Sequence, residues 1–350
     1  MSTDRYAYDV VPSPQETAAF ERLIRVSKRQ MQRDYPNGTM RRDAHAKNLG
    51  LVHGTLTIED NLPDHLRVGV FSQAQTFPCW VRFSNSGGVG GVHPDKKPDV
   101  RGLGIKIFGV EGRKILKGDE DAVTHDFLFI SSPTFMVKDA IDFSYLVQAL
   151  GAGGLDRLFK LAAFFFNPLN LRLRELRLLI KLQVKMTHVL GHQWWSATPY
   201  RLGEQQAAKY TLIPRTPVDT SMPADPAPDF LRQRLQTHLQ TDAAEFDFCV
   251  QVAVDEARTP IYDTRQEWPT HIAPFTKVAT LRIPPQTFGS DAQRTYAENL
   301  RFTPWHALPE HAPLGSINRA RQEVYGALSH FRYEVNGVTL TEPTERVSFE

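Results

Sequence analysis

The chain has 350 residues, 41% of them apolar and 10% aromatic, enough to bury a sizeable core, so wholesale disorder is excluded. Its 41 Lys and Arg against 39 Asp and Glu leave a formal charge of +2, no strong field to draw the whole chain onto nucleic acid. Two cysteines, Cys79 and Cys249, are too few for a disulfide framework or a zinc cluster. The first residues lack a signal peptide's apolar stretch and no run of 18 apolar residues follows, so the expectation is a reduced, cytoplasmic, globular protein.

In chain order, residues 15 to 35 carry Phe20, Leu23, Ile24 and Met31 at helical spacing, predicting an amphipathic N-terminal helix within an arm over residues 1–40. The period then changes. Residues 51–58 read as a strand with Gly54 as its bend or bulge, and residues 79–84, 104–108 and 126–130 read as strands too. Between them lie turn-rich stretches at 87–91 and 95–98. Residues 139–150 and 156–190 read as helices, the second interrupted by Asn167-Pro168. Five prolines between Pro214 and Pro228 make either a linker or an extended strap, and strands at 246–254 and 277–283 resume after it, favouring the strap. A last helix begins near Ser316 and stops before Asn336-Gly337. Many short strands without regular alternation with helices favour a single α+β domain over residues 41–340. It would be a closed antiparallel β-barrel with surrounding helices, including a helical insert at 139–195 and the strap at 214–228.

On the last helix Arg321, Tyr325 and Arg332 are spaced four and seven apart and share a face. A guanidinium beside a phenol favours the phenolate, a competent ligand for ferric iron. By spacing alone the same pattern also fits a half-buried tyrosine between two surface arginines. The N-terminal half adds Arg42-Asp-Ala-His45-Ala-Lys47, Val81-Arg82-Phe-Ser84, residues 99–108 (Asp-Val-Arg-Gly-Leu-Gly-Ile-Lys-Ile-Phe) and Ser131-Ser-Pro133-Thr-Phe135, with Phe143 close behind.

These five ordered motifs, over roughly residues 40 to 335, resemble the haem catalase family. More narrowly, they resemble its short catalase-related members, which lack the longer enzymes' C-terminal additions. The resemblance implies haem b (iron protoporphyrin IX) with Tyr325 as the proximal iron ligand and Arg321 keeping it deprotonated. It implies His45 as distal acid/base and Ser84 as its hydrogen-bond partner. Arg42, Arg82 and Arg332 would lie near the haem propionates, and Phe135 and Phe143 would wall the distal side. The chemistry suits these residue types. An anionic oxygen ligand assists O–O cleavage, a neutral imidazole can move a proton between peroxide oxygens toward a ferryl intermediate, and two carboxylates match several guanidiniums. One position departs: the family's distal asparagine falls at Ile130 or Ser131, and of these only Ser131 can donate a hydrogen bond. That bears on peroxide positioning rather than on haem binding.

The expected activity is a catalase-related peroxidase acting on hydrogen peroxide or organic peroxides, with an organic or lipid donor. The alternatives are conversion of a fatty-acid hydroperoxide in the manner of an allene oxide synthase, and haem binding with little turnover. From residue 156 to 190 there are seven basic and two acidic residues among Leu, Phe, Ile, Val and Met. Such a helix can lie on an anionic membrane or guide an acyl chain, or pack on the barrel with its cations snorkelling. His188 and His192 have the i, i+4 spacing of a metal pair but no acidic helper, and read as structural or cavity-edge residues. Trp194-Trp195 is expected to pack the insert onto the barrel, and the thiol of Cys79 to be inert.

Overall fold

A computed structural model describes residues 6–87 and 93–349, so most of the glycine-rich stretch at 87–91 lies outside the described residues. The first helix, α1 (Pro14–Asp34), begins where the sequence supplies both halves of a capping box, Ser13 and Glu16, with Pro14 at its first turn. Its buried face carries Ala19, Phe20, Leu23, Ser27 and Met31. Strands β1 (Lys47–Ile58), β2 (Thr76–Asn85), β3 (Arg101–Phe108) and β4 (Thr124–Ile130) follow. Next come helices α2 (Ala140–Gly151) and α3 (Gly154–Phe165), a small hairpin of β5 (Phe166–Asn167) and β6 (Asn170–Leu171), and α4 (Leu173–Lys181). The second half holds β7 (Trp194–Trp195), β8 (Tyr200–Leu202), β9 (Gln206–Pro214), α5 (Phe230–Thr241), β10 (Ala244–Val252), β11 (Thr276–Ile283), α6 (Asp291–Asn299) and α7 (Ser316–Asn336).

Eight strands close on themselves, all antiparallel, in the order β10-β11-β1-β2-β3-β4-β7-β9 and back to β10, with β8 added at β9. The closed ring leaves no free sheet edge within it. Its interior is filled: Phe71, Phe127, Tyr210, Phe248 and His311 pack with ring centroids 5.0–6.4 Å apart. A site for anything large must therefore lie outside the barrel. The two-residue strand period supplies its floor. Val81, Phe83, Leu103, Ile105, Phe127 and Phe129 belong to the barrel core, while Arg82, Ser84, Gly102, Gly104, Leu128 and Ile130 face the opposite side. Over that side α1, α2 and α7 form a lid of their own, packed through Ala19, Phe20, Leu23, Ala140, Leu146, Ile317 and Ala320.

Two expectations are corrected. The register runs unbroken through Gly54, which pairs with Cys79, and the irregularity lies between Asn48 and Gly50. Gly54 is instead a close approach, since a Cβ there would sit 2.8 Å from the carbonyl oxygen of Arg282. The helical stretch expected over 156–190 is interrupted at Asn167-Pro168 as expected, by the β5–β6 hairpin, but it ends at Lys181 rather than near 190. Pro168 removes a donor, the Asn167 side chain accepts the Leu169 N–H, and Val184 is held instead by a bridge to Asp99. Trp194 packs insert residues Met186, Val189 and Leu190 onto the barrel core as expected, and with Trp195 it also forms β7, through which β4 and β9 pair and the ring closes. The proline-rich segment lies along the barrel, with Val218, Met222 and Ala227 packed against its core.

His125, His188 and His311 are among the buried histidines outside the cavity described below. Burial holds His311 down to about 3 and His188 to about 4, the latter helped by His238, and it pushes His125 well below 6.5, helped by His311 and His306. The unfolded chain takes up these protons near pH 6.5 while the fold refuses them, so stability is full above about pH 7 and falls as pH drops. Urea unfolding at pH 8 and pH 6 should differ by about 2 kcal/mol, lower at pH 6; equal values would mean these imidazoles are not held neutral.

Candidate functional site

Between the barrel wall and the helical lid lies a cavity of about 340 Å³, measured as space open to the centre of a water molecule. One buried water needs about 10–15 Å³ on that measure, so the space suits a large ligand rather than solvent. It is lined by nine of the residues singled out in the sequence: Arg42, His45, Arg82, Ser84, Phe135, Phe143, Arg321, Tyr325 and Arg332. Segments nearly 300 residues apart in the chain thus meet at one place.

His45 sits between α1 and β1 with a left-handed φ of 60°, which a non-glycine residue adopts only when its surroundings hold it. Here its N–H donates to Ser86 O at 2.9 Å and its carbonyl accepts from Arg82 Nη2 at 2.9 Å. Ser84 Oγ lies 3.2 Å from His45 Nδ1 and donates to Gly102 O at 3.3 Å. A serine hydroxyl carries one hydrogen. Directed at Gly102 O, it leaves Oγ to accept from Nδ1–H, which places the imidazole's free lone pair on Nε2. Burial, then Arg82, Arg321 and Arg42, hold His45 down to about 3, so it is neutral throughout the physiological range. Gly102 is the seat of this ring: a Cβ there would lie 2.4 Å from His45 Nδ1 and 2.5 Å from Cε1.

On α7, Arg321 Nε donates to Tyr325 Oη at 3.3 Å. Arg321 is in turn aimed by residues the sequence reading missed. Its Nη1 donates to Asn318 Oδ1 at 3.1 Å and reaches Thr198 Oγ1 at 3.5 Å. Asn318, fully buried, donates to Pro199 O and Leu314 O and accepts from Thr198 Oγ1. Burial opposes the Arg321 charge, yet the phenol oxygens of Tyr325 and Tyr200 hold the guanidinium above its ordinary value. Asn318 precedes Arg321 by three positions, one helical turn, and that spacing was the only signal available.

Arg42, Arg82 and Arg332 gather beside one carboxylate, Glu298. Arg42 Nη1 is 3.5 Å from Glu298 Oε2, and Arg332 Nη1 donates to Glu298 O at 2.7 Å. Burial, with Arg42 next, pushes Arg332 down to about 10, and Arg82 falls well below the usual arginine range for the same reasons. The buried Nε of Arg82 has no hydrogen-bond partner among the described residues. Three cations against one anion leave two positive charges in excess. That is the complement of a planar dicarboxylate, and with a phenol, an imidazole and aromatic walls in one large cavity the residues fit a haem.

Other expected residues are placed elsewhere. Ser131 does not line the cavity: its Oγ accepts the Arg101 N–H at 3.0 Å as part of the β3–β4 edge, and Ile130 lines the cavity instead. His188 and His192 do not share a helix face; His188 Nδ1 accepts the Leu190 N–H, and His192 Nε2 contacts Ser131 O. Burial pushes both cysteine thiols up to about 12, leaving them inert at neutral pH.

The closed eight-stranded antiparallel barrel and part of the sequence are similar to those of catalases. The family model described as Catalase matches residues 15–167. Catalase T of Saccharomyces cerevisiae is 24% identical over 255 residues, 65% of this chain and 41% of that protein. Catalase C of Rhizobium meliloti is 31% identical over 110 residues, 31% of this chain and 14% of that one. The crystal structure of a fungal catalase superposes with a TM-score of 0.67 at 17% identity, covering 85% of this chain and 60% of that chain. The chain is therefore similar to catalases in sequence over part of its length and in fold over most of it, and it spans about two fifths of the length of Catalase T.

Two glycines separate seat from spacer. Gly102→Ala should cost about 1–3 kcal/mol in urea unfolding and break the Ser84–His45 contact in a crystal structure. Gly326→Ala, mid-helix with nothing within 4 Å of a new Cβ, should stabilise by up to about 1 kcal/mol. The opposite order would mean the cradle is not tight.

Proposed function

We propose that this chain is a haem-dependent enzyme of the catalase type that decomposes peroxide, with Tyr325 as iron ligand and His45 as the acid/base on the opposite side. The observation that carries the reading is the joint lining of one cavity by a neutral imidazole, a guanidinium-paired phenol and an excess of buried cations. Arg42, Arg82 and Arg332 would hold the propionates, Phe135 and Phe143, with centroids 5.1 Å apart, would wall one side, and Arg321 would supply positive charge to the Tyr325 oxygen. Haem b, when bound, supplies a redox-active iron able to split an O–O bond. The chain's part is proton movement. His45 Nε2, kept unprotonated by burial and by the Ser84 contact at Nδ1, accepts a proton from one peroxide oxygen and delivers it to the other. Because His45 titrates near 3, this step should be independent of pH down to about pH 4.

A second reading, turnover of an organic hydroperoxide, is favoured by Ile130 at the position of the family's amide and by the apolar lining from Leu23, Met31, Val147 and Phe302. An apolar wall cannot orient hydrogen peroxide by hydrogen bonding but accepts an alkyl chain. Oxygen release from hydrogen peroxide, measured beside consumption of a fatty-acid hydroperoxide, separates the two.

Grown with a haem precursor, the purified protein should absorb as a ferric haem protein. Tyr325→Phe should lose stoichiometric haem or shift that spectrum; an unchanged spectrum removes Tyr325 as the ligand. His45→Ala should keep the haem and slow peroxide decomposition by at least about 100-fold. A loss of only a few-fold would place the proton relay on another group.

A further inference from the structure

Half of the exposed large apolar side chains fall in one short stretch. Of 16 such residues on the described chain, eight lie between Leu155 and Ile180, on α3, the β5–β6 hairpin and α4. Leu158, Phe159, Phe166, Leu169, Leu171 and Ile180 are each 55–95% exposed, with Leu169 at the hairpin tip the most open. The same segment turns Phe164 and Phe165 inward to the cluster that includes Phe135 and Phe143 of the cavity wall, so it is firmly seated and not a loose excursion. Its outer face is apolar while its inner face is already satisfied. Such a concentration on a soluble surface marks a contact.

The charges decide what it contacts. Of the segment's two acids, Glu175 is buried against Arg265 and Asp156 is paired with Lys160 at 2.6 Å. Arg177, Lys181 and Lys185 are exposed and make no ion pair among the described residues. On α4, Leu173, Arg177, Ile180 and Lys181 recur at helical spacing on the exposed side, mixing apolar and cationic groups in one stripe. A second copy docking face to face would press these cations against themselves. An anionic lipid surface takes both kinds of group: phosphates meet the cations, and the acyl boundary takes Phe159, Leu169 and their neighbours. No helix among the described residues is long and apolar enough to cross a membrane, so the contact is one of lying on the surface.

We propose that α3, the β5–β6 hairpin and α4 form a docking face for an anionic membrane surface. The proposal is independent of the chemistry assigned to the cavity, and its test does not read activity.

The full-length protein is co-sedimented with vesicles of phosphatidylcholine plus phosphatidylglycerol, and with vesicles of phosphatidylcholine alone. It should bind the anionic vesicles, less so as salt rises, and the neutral vesicles at least about tenfold less. Phe159→Ser with Leu169→Ser, and separately Arg177→Glu with Lys181→Glu, should each lower binding at least about tenfold, with circular dichroism unchanged because all four side chains are exposed. No binding, or binding that both double variants retain, overturns the proposal. So does sedimentation equilibrium showing an oligomer that the Phe159→Ser, Leu169→Ser variant dissociates, which would assign the face to a second copy.

Discussion

Buried positive charge that the chain does not neutralise is the constraint around which this protein is arranged. Five arginines line one cavity; Arg301 is paired with Asp119 and Glu342, which leaves the guanidiniums of Arg42, Arg82, Arg321 and Arg332. Glu298 answers part of that charge and the Tyr325 oxygen sits against another part. Leaving cations desolvated without partners is among the more expensive things a fold can do. Here burial and mutual repulsion already lower Arg82 and Arg332. A dianionic planar ligand would relieve that cost, so the cavity is prepared for a particular distribution of charge as much as for a shape. Burial first, and then Arg82, Arg321 and Arg42 among these cations, keep His45 neutral, which couples the charge of the cavity to the basicity of that ring.

The filled barrel interior is the second constraint, and it explains where the site is. With Phe127, Tyr210 and Phe248 occupying the centre, Arg82 and Ser84 of β2 and Gly102 and Gly104 of β3 are turned outward to the cavity. Ser84 and Gly102 seat His45 on the sheet, Gly104 lets Phe302 lie close against it, and α1, α2 and α7 supply the roof. The N-terminal helix is part of this roof: Leu23, Ser27 and Met31 line the cavity, and their side chains help set what can occupy it.

Much of the site was legible because its residue types are chemically unusual for their positions. A tyrosine between arginines on one helical stripe and a histidine in an Arg-x-x-His setting carry their chemistry in the side chain. The supports were not legible. Gly102 is one glycine among 22 until His45 is seen resting on it, and Asn318 and Thr198 acquire a role only once Arg321 is in place. Ser131 was favoured on hydrogen-bonding capacity, but strand alternation turned its hydroxyl to the backbone and put Ile130 in the cavity. Helices α5 and α6 went unremarked: α5 did carry a signal in Phe230, Leu231, Leu235 and Leu239, four buried apolar residues at helical spacing, whereas α6 is nine residues long and buries only Gln293 and Ala297.

The sequence by itself determined the periodicities and hence the barrel strands, the first and last helices with their caps, and the reactive side chains, since each depends on residues within a few positions of one another. Only the tertiary structure decided which faces meet. It closed the ring through two residues of β7 and ended the insert's last helix at Lys181, where Val184 pairs with Asp99. It also brought an imidazole from residue 45 and a phenol from residue 325 to one cavity. Those outcomes depend on packing between segments hundreds of residues apart, where local preference is weak and the burial of a shared surface prevails.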